Sequence, residues 1–312
     1  MLSNNISWTV DEITDNGERV THLNKDSVYY AHLSIYDFGL QFCRNKIVLD
    51  AGCGSGYGSD YMAKNGADFV YGIDISEKAI EFNKFNFKKD NLIFKTMDLS
   101  NITEFEAETF DFIFSSNALE HILDVNHFFY TASNLLKPDG IIMIAVPPIT
   151  DNRLLYLNVT NPYHLNLWSP KQWAHSLNTY FSEVNCYLHG VIHIGKDFRP
   201  EHFTEKILTT KDFVFKKCSI EEMYKKFTLT SIFVAKKSQV QSVFQLQKLK
   251  FIDDSFSRLN GEIDEKTKER LKEYFLMTET PFIKPSKNKT NSVILTKIKR
   301  KLIKLLERIK RI

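Results

Sequence analysis

The decapeptide Leu49–Gly58 reads LDAGCGSGYG, with glycine at 52, 54, 56 and 58 and an acid, Asp50, just ahead of them. Glycine serves where a backbone must turn sharply or come close to a ligand. The preceding KIVLD reads as a buried strand, and the residues from Gly56 to Asn65 read as a helix that ends at Gly66. Strand, glycine loop and helix in that order open an α/β unit, in which ligands bind at the carboxyl ends of parallel strands.

The pattern repeats down the chain. FVYGIDIS from Phe69 reads as a second strand, and Ser76 caps a helix reaching about Lys88. LIFKTMDL is a third strand and FDFIFSSNAL from Phe110 a fourth. A helix over Val125–Leu136 stops before Pro138-Asp139-Gly140, and GIIMIAVPP is a fifth strand ended by Pro147-Pro148. SPKQWAHSLNTYF opens a helix with Ser169 as N-cap and Pro170 at its first position. EVNCYLHG and FTLTSIFVAKK complete an expected seven-stranded, mostly parallel sheet with helices on both faces. Helical patterns around Val240–Lys250 and Glu265–Phe275 imply a helical C-terminal extension.

The loop's ligand follows from spacing and charge. A dinucleotide fingerprint, G-x-G-x-x-G, needs its third glycine five residues after its first. Those positions are Tyr57 counting from Gly52 and Ser59 counting from Gly54. Asp50 also argues against a pyrophosphate, which it would repel. S-adenosylmethionine brings a sulfonium and an ammonium that an acid attracts. Its carboxylate suits the N–H groups at the following helix N-terminus.

With these motifs in order, the chain resembles the class I S-adenosylmethionine-dependent methyltransferases, over roughly residues 28–237. The resemblance implies a Rossmann-like fold, methyl transfer, and S-adenosylmethionine as cofactor. It implies that Asp50, Gly52, Gly54 and Gly56 form the cofactor loop. Asp74, in YGIDIS, matches the acid that accepts from both ribose hydroxyls, and Asp98, in TMDL, the acid that accepts the adenine amino group. Ile75 and Leu99 follow these acids as cofactor neighbours, and Ser116 in SSNALEHI lies toward the methionine end. Read alone, the glycine loop is a tight turn, Asp98 is strand-end turn chemistry, and Cys53 is a small packing residue.

Methyl transfer is an in-line displacement on a carbon that the positive sulfur already activates, so aligning the nucleophile is the main task. A base is needed where the acceptor is protonated. His164, in NPYHLNLWS, is the first choice for a general base; the alternative is that it braces its loop. His121, in ALEHI, is the second choice, and its alternative is bracing a helix. The Asn161–His164 pattern and the segment YYAHLSIYDFG resemble methyltransferases of bacterial surface-polysaccharide gene clusters, which implies a glycan or lipid-linked acceptor. In those relatives the second segment reads His-x-x-Arg-Tyr and closes over the cofactor. Here His32 and Tyr36 remain, but Ile35 stands at the arginine position, so no guanidinium there holds the cofactor carboxylate. The other reading of the segment is an amphipathic helix burying Leu33, Tyr36 and Leu40. HGVIHIGKDFRPEHF carries three histidines, interrupted by Gly190, Gly195 and Pro200. That suits an acceptor-binding loop offering Lys196, Phe198 and Arg199 better than a metal site, and no metal is expected.

Charge divides the chain. From Lys284 to Ile312 there are eleven Lys or Arg against one acid, Glu307, a balance of +10. The whole chain is +3, so the remainder is −7. In LTKIKRKLIKLLERIKRI, Leu295, Leu302 and Ile309 share one heptad position and Ile298, Leu305 and Ile312 another. A basic amphipathic helix of this kind suits an anionic membrane surface; the competing occupants are an acidic partner, such as a glycosyltransferase, and solvent. Nucleic acid is not expected of an acidic body without a basic-aromatic platform. The cysteines Cys43, Cys53, Cys186 and Cys218 show no paired spacing, no run of about 18 apolar residues occurs, and the first residues lack the apolar core of a signal peptide. A cytoplasmic protein, peripheral on the inner face of the cell membrane, is the expectation. The segments read as an N-terminal helical lid (1–45), a methyltransferase domain (46–237), a helical extension (238–288) and the basic helix (289–312). Methylation of a small lipid or quinone precursor, and a non-catalytic binding module, are the alternative functions.

Overall fold

The computed structural model describes residues 19–161, 163–192 and 208–237. The expected helical extension (238–288) and basic helix (289–312) lie outside these residues, as do Lys196, Phe198 and Arg199.

A first helix, α1 (Ser27–Cys43), starts where Asp26 accepts the Tyr29 N–H at 2.9 Å. Then come β1 (Ile47–Ala51), α2 (Tyr57–Lys64), β2 (Phe69–Asp74), α3 (Glu77–Asn86), β3 (Leu92–Thr96) and β4 (Phe110–Ser116). After a 3-10 turn at Leu119–His121 follow α4 (Val125–Leu135), β5 (Leu136–Val146), α5 (Asn152–Thr160) and α6 (Pro170–Tyr180). The chain closes with β6 (Phe181–Val191), β7 (Phe213–Cys218), α7 (Ile220–Met223) and β8 (Ser231–Lys237).

The strands form one sheet in the order β3-β2-β1-β4-β5-β8-β6-β7. The first five are mutually parallel, while β8 runs antiparallel to β5 and β6, and β7 antiparallel to β6. The sheet thus has eight strands, not the expected seven. The extra one is β7, FVFKKC, which lies between the two strands read last from the sequence. Its alternation covers only Phe213-Val214-Phe215 before two exposed lysines, Lys216 and Lys217, interrupt it. Lysines on a short edge strand discourage pairing with a further chain, and they erase the apolar signal that would announce the strand.

Alternation along the strands feeds two cores. Leu49, Ala51 and Ile113 point to one face, where they meet Phe128 and Phe129 of α4 and Trp173 of α6. Val48, Phe112 and Phe114 point to the other, against Tyr36 of α1 and Met62 of α2. Helices therefore cover both faces, as expected. The α1 segment buries Leu33 and Tyr36 in that second core, so this part of the expected lid is built into the domain. Ser169 and Gln172 form a reciprocal capping box at the start of α6.

The fifth strand and the segment after it differ from the sequence reading. The fifth strand begins at Leu136 rather than Gly140, because Pro138-Asp139-Gly140 forms a bulge: β4 pairs Phe110 with Leu136 and Phe112 with Ile141. Asp139 takes the left-handed conformation there, with φ 63°. The helix α5 was not expected, although Asp151 just ahead of it acts as its cap, with Oδ1 accepting the Leu154 N–H at 2.8 Å.

The four cysteines are free thiols. Cys186 and Cys218, scattered in sequence, face each other across β6 and β7.

Candidate active site

The glycine loop connects β1 to α2. Gly52, Gly54 and Gly56 have φ of 85°, 52° and 73°, a conformation that side chains disfavour. At Gly54 a Cβ would meet nothing within 4 Å, so the loop's bare backbone faces open space, where a ligand can approach it. Gly58 is needed for the opposite reason. A Cβ there would lie 2.0 Å from the Tyr36 ring, which rests directly on the start of α2. Gly56 caps α2 without a side-chain acceptor, which suits a carboxylate at that helix end.

Asp50 ends up fully buried behind this loop. Ser59 Oγ donates to Asp50 Oδ2 at 2.5 Å, and the Tyr36 hydroxyl lies 3.4 Å from Oδ1. Burial pushes the carboxyl up to about 7 and the Asp74 charge acts in the same direction, while the Ser59 and Tyr36 bonds oppose them. Tyr36 packs against Phe114 at 4.5 Å and is itself buried, bracing Asp50 from α1. Ile35, at the position of the missing arginine, is core. His32, half-buried, is pushed down to about 4 by burial. Cys53 is buried in the loop with its thiol pushed well above its usual range, in keeping with a packing role.

Asp74 and Asp98 stand side by side beyond β2 and β3. The Met97 N–H donates to the Asp74 carbonyl at 2.9 Å, tying the two strand ends together. The Asp74 carboxylate accepts the Gly54 N–H at 2.9 Å on Oδ2 and the Ser76 N–H at 3.0 Å on Oδ1. An Arg19 guanidinium N–H reaches Oδ1 at 3.0 Å. Asp98 Oδ1 accepts the Ser100 N–H at 2.8 Å, so the strand-end turn chemistry is present as well. Ile75 is 66% exposed beside these acids, an apolar face suited to a flat ring, and Leu99 is buried beneath them. Ser116 ends β4, where Asn117 Nδ2 donates to its Oγ at 3.2 Å. Arg19 is the residue sequence reasoning missed on this side. It lies ahead of every recognisable element, so no periodicity or spacing marks it.

The histidines meet on the other side, beyond β4 and β5. The Glu120 carbonyl accepts the N–H groups of Leu165 at 2.7 Å and Asn166 at 2.8 Å, folding the segment from Tyr163 onto the 3-10 turn. His121 Nδ1 pairs with the Tyr163 carbonyl at 2.9 Å, and His164 Nδ1 with Asn158 Oδ1 at 2.7 Å. Asn158 Nδ2 donates to the Leu154 carbonyl at 2.8 Å, which turns its Oδ1 toward His164. Both ring partners are acceptors, so Nδ1 is the donor nitrogen of each ring. The rings lie 5.2 Å apart, steeply tilted. Ligand atoms of Glu120, His121 and His164 all lie within 4.8 Å of one another, a grouping the sequence did not announce. Asn158 was missed because it belongs to the unexpected helix α5.

His189, from the three-histidine segment, is not in this group. It is fully buried in β6, stacked on Phe215 with Nε2 3.0 Å from Ser34 Oγ, and burial pushes it down to about 3. His193 and His202 lie outside the described residues.

Comparison with known proteins agrees with the sheet and the loop. Residues 49–144 match the family described as Methyltransferase domain. Over that segment the chain is similar to methyltransferase domains. It is 31% identical over 125 residues to a ubiquinone biosynthesis O-methyltransferase of Neisseria meningitidis serogroup C, an alignment covering 39% of this chain and 52% of that one. It is 36% identical over 127 residues to the enzyme of the same description from Pelagibacter ubique, covering 41% and 52%. The chain thus spans about half the length of the curated relatives it matches. Among solved structures, a SAM-dependent methyltransferase from Archaeoglobus fulgidus superposes with a TM-score of 0.50 at 19% identity, covering 67% of this chain and 93% of that one. The similarity to methyltransferase domains and to a SAM-dependent methyltransferase supports S-adenosylmethionine as the cofactor.

Proposed function

We propose that this chain transfers a methyl group from S-adenosylmethionine to a hydroxyl oxygen of a small aromatic acceptor, of the kind a quinone precursor presents. The observation that carries the reading is the arrangement at the carboxyl edge of the sheet. Asp74 and Asp98 flank the glycine loop on one side, and His121 and His164 present two basic nitrogens on the other. In this reading Asp74 takes the ribose hydroxyls and Asp98 the adenine amino group, with Ile75 and Leu99 against the base. The loop from Gly52 to Gly56 approaches the methionine moiety, near Ser116. Asp50 and Tyr36 hold the loop from behind, and Asp50 adds negative charge beside a cationic cofactor.

The protein's part in the chemistry is alignment and proton removal. With S-adenosylmethionine held at the loop, the cofactor would supply the methyl group, its carbon–sulfur bond breaking to leave neutral S-adenosylhomocysteine. His164 Nε2 would take the proton of the attacking hydroxyl, and Asn158 keeps the ring in the tautomer that makes this feasible. His121 stands beside it and Glu120 anchors the segment. A small phenolic acceptor is supported by the relatives named for ubiquinone biosynthesis and by the exposed Tyr156, Leu157 and Tyr163 carried next to Asn158 and His164. The glycan acceptor rests on the Asn161–His164 and His32–Tyr36 patterns and on the basic tail, and the comparisons move the preference away from it. No helix of the described residues is long and apolar enough to cross a membrane. The tail's attraction to an anionic surface is a separate proposal, tested by flotation with liposomes of the intact chain against a chain ending at Asn288.

Methyl-labelled S-adenosylmethionine, supplied with a dihydroxybenzoate and separately with a lipid-linked glycan fraction, tests the acceptor. Label in the aromatic ether supports the reading. Label confined to the glycan would replace it.

A further inference from the structure

The ribose acid of the proposed cofactor site is already occupied by the protein. A carboxylate offers about four lone-pair positions. Three donors among the described residues converge on Asp74: the Ser76 N–H and Arg19 on Oδ1, and the Gly54 N–H on Oδ2. A vicinal diol held by this acid delivers two hydrogen bonds, and about one position remains. The Gly54 and Ser76 groups are main chain, fixed by the loop and by the start of α3. Arg19 is the donor that can leave.

Arg19 is not a stray surface cation. Its side chain is 17% exposed against 10% for Asp74, so the pair is largely shielded from water. The residues after it run over the cofactor loop: Ser55 Oγ donates to the Val20 carbonyl at 2.6 Å, and Thr21 is buried. His22 packs on Phe87 at 5.0 Å and on Phe82 at 5.7 Å, against α3 and the turn after it. The strap thus has fixed anchors at residues 20–22, and one charged side chain reaches from it into the ribose position. Electrostatics favour that resting place. Asp50 and Asp74 are two acids near each other, and Arg19 brings to them a positive charge, as the cationic cofactor does when it lands.

We propose that Arg19 is a displaceable gate on the cofactor site: it closes the ribose position of the cofactor-free protein, and S-adenosylmethionine binds by driving its guanidinium off Asp74. The inference rests on the reading of Asp74 as the ribose acid. It gives the segment ahead of α1 a role in cofactor access that the His-x-x-Arg-Tyr pattern, with Ile35 in place of arginine, does not supply.

Calorimetric titration of the full chain with S-adenosylmethionine tests the gate in three variants. Arg19→Ala removes the competitor, and its affinity rises about fivefold, the scale of a partly shielded ion pair. Arg19→Lys keeps a competing cation and stays within about twofold of the wild type. Asp74→Asn is the control on the underlying reading and binds more weakly. Unchanged or weaker binding by Arg19→Ala, with Asp74→Asn weakened, overturns the gate and leaves the ribose reading standing. Unchanged binding by Asp74→Asn overturns the ribose reading itself. Thermal unfolding of each variant verifies that the chain is folded, and S-adenosylhomocysteine as a second probe repeats the comparison without the sulfonium charge.

Discussion

The proposed cofactor side and the proposed acceptor side of this sheet edge are constructed by opposite means. Beyond β1, β2 and β3 the chemistry is carried by main chain and strand ends: positive-φ glycines, and acids placed where parallel strands stop. Beyond β4 and β5 it is carried by side chains gathered from separate segments, through the Leu165 and Asn166 bonds to Glu120 and the Asn158 clamp on His164. A backbone-built site is tied to topology and shows in the order of short motifs. A side-chain-built site depends on which loop folds back, and little in the local sequence records that.

The largest predicted effect strikes the cofactor side. Asp74→Ala removes the proposed acceptor of the two ribose hydroxyls, and S-adenosylmethionine affinity is expected to fall by about 100-fold by calorimetry. A second large effect separates the sides in turnover. His164→Ala lowers kcat by about 100-fold or more while leaving cofactor affinity within about twofold. Asn158→Leu, which removes the orienting oxygen, lowers kcat by about tenfold, and Asn158→Asp restores most of it. If Asn158→Leu instead weakened cofactor binding as much as turnover, the two sides would not be separable.

Stability sharpens the contrast further. Gly58→Ala forces a Cβ into the Tyr36 ring and costs about 1–3 kcal/mol in chemical denaturation. Because the clash is local to that pair, the double variant with Tyr36→Leu loses less than the sum of the two single changes.

The smallest effects are those of pH, and they have opposite signs. Asp50 sits at about 7 in the fold, above its unfolded value. Its contribution to stability is full below about 4 and is lost as pH rises through about 7; Asp50→Asn flattens that slope. Binding of a cationic cofactor favours the ionised form, so affinity rises with pH up to about 7. His189 sits at about 3, below its unfolded value. Its contribution is full above about 6.5 and is lost as pH falls toward 3. Denaturation midpoints between pH 4 and 8, for wild type, Asp50→Asn and His189→Gln, measure both slopes.

Much of the backbone geometry of the glycine loop and the neighbouring strand ends could be read in advance because its constraints are local. LDAGCGSGYG requires its glycines for φ and for the approach of Tyr36, and YGIDIS and TMDL place acids at strand ends through simple alternation. The role of Asp50 changed with the structure, from an acid facing the ligand to a buried one held by Ser59 and Tyr36. Only the fold back of α1 over the loop reveals that. His121 and His164 were singled out separately, yet their meeting depends on the bonds between Glu120 and the 165–166 backbone. Arg19 and Asn158 carry no motif and were invisible. β7 was hidden because its edge lysines break the alternation, and His189 looked available because burial by partners on α1 and near β8 cannot be seen from HGVIH alone.

The central claim is that the glycine loop and its acids receive S-adenosylmethionine rather than a dinucleotide. The most direct measurement is a calorimetric titration of the full-length chain with S-adenosylmethionine and, in parallel, with NAD. The account predicts saturable one-to-one binding of S-adenosylmethionine, lost in Asp74→Ala and kept in His164→Ala, and no heat with NAD. Saturable binding of NAD, or no binding of S-adenosylmethionine by a folded chain, would contradict it.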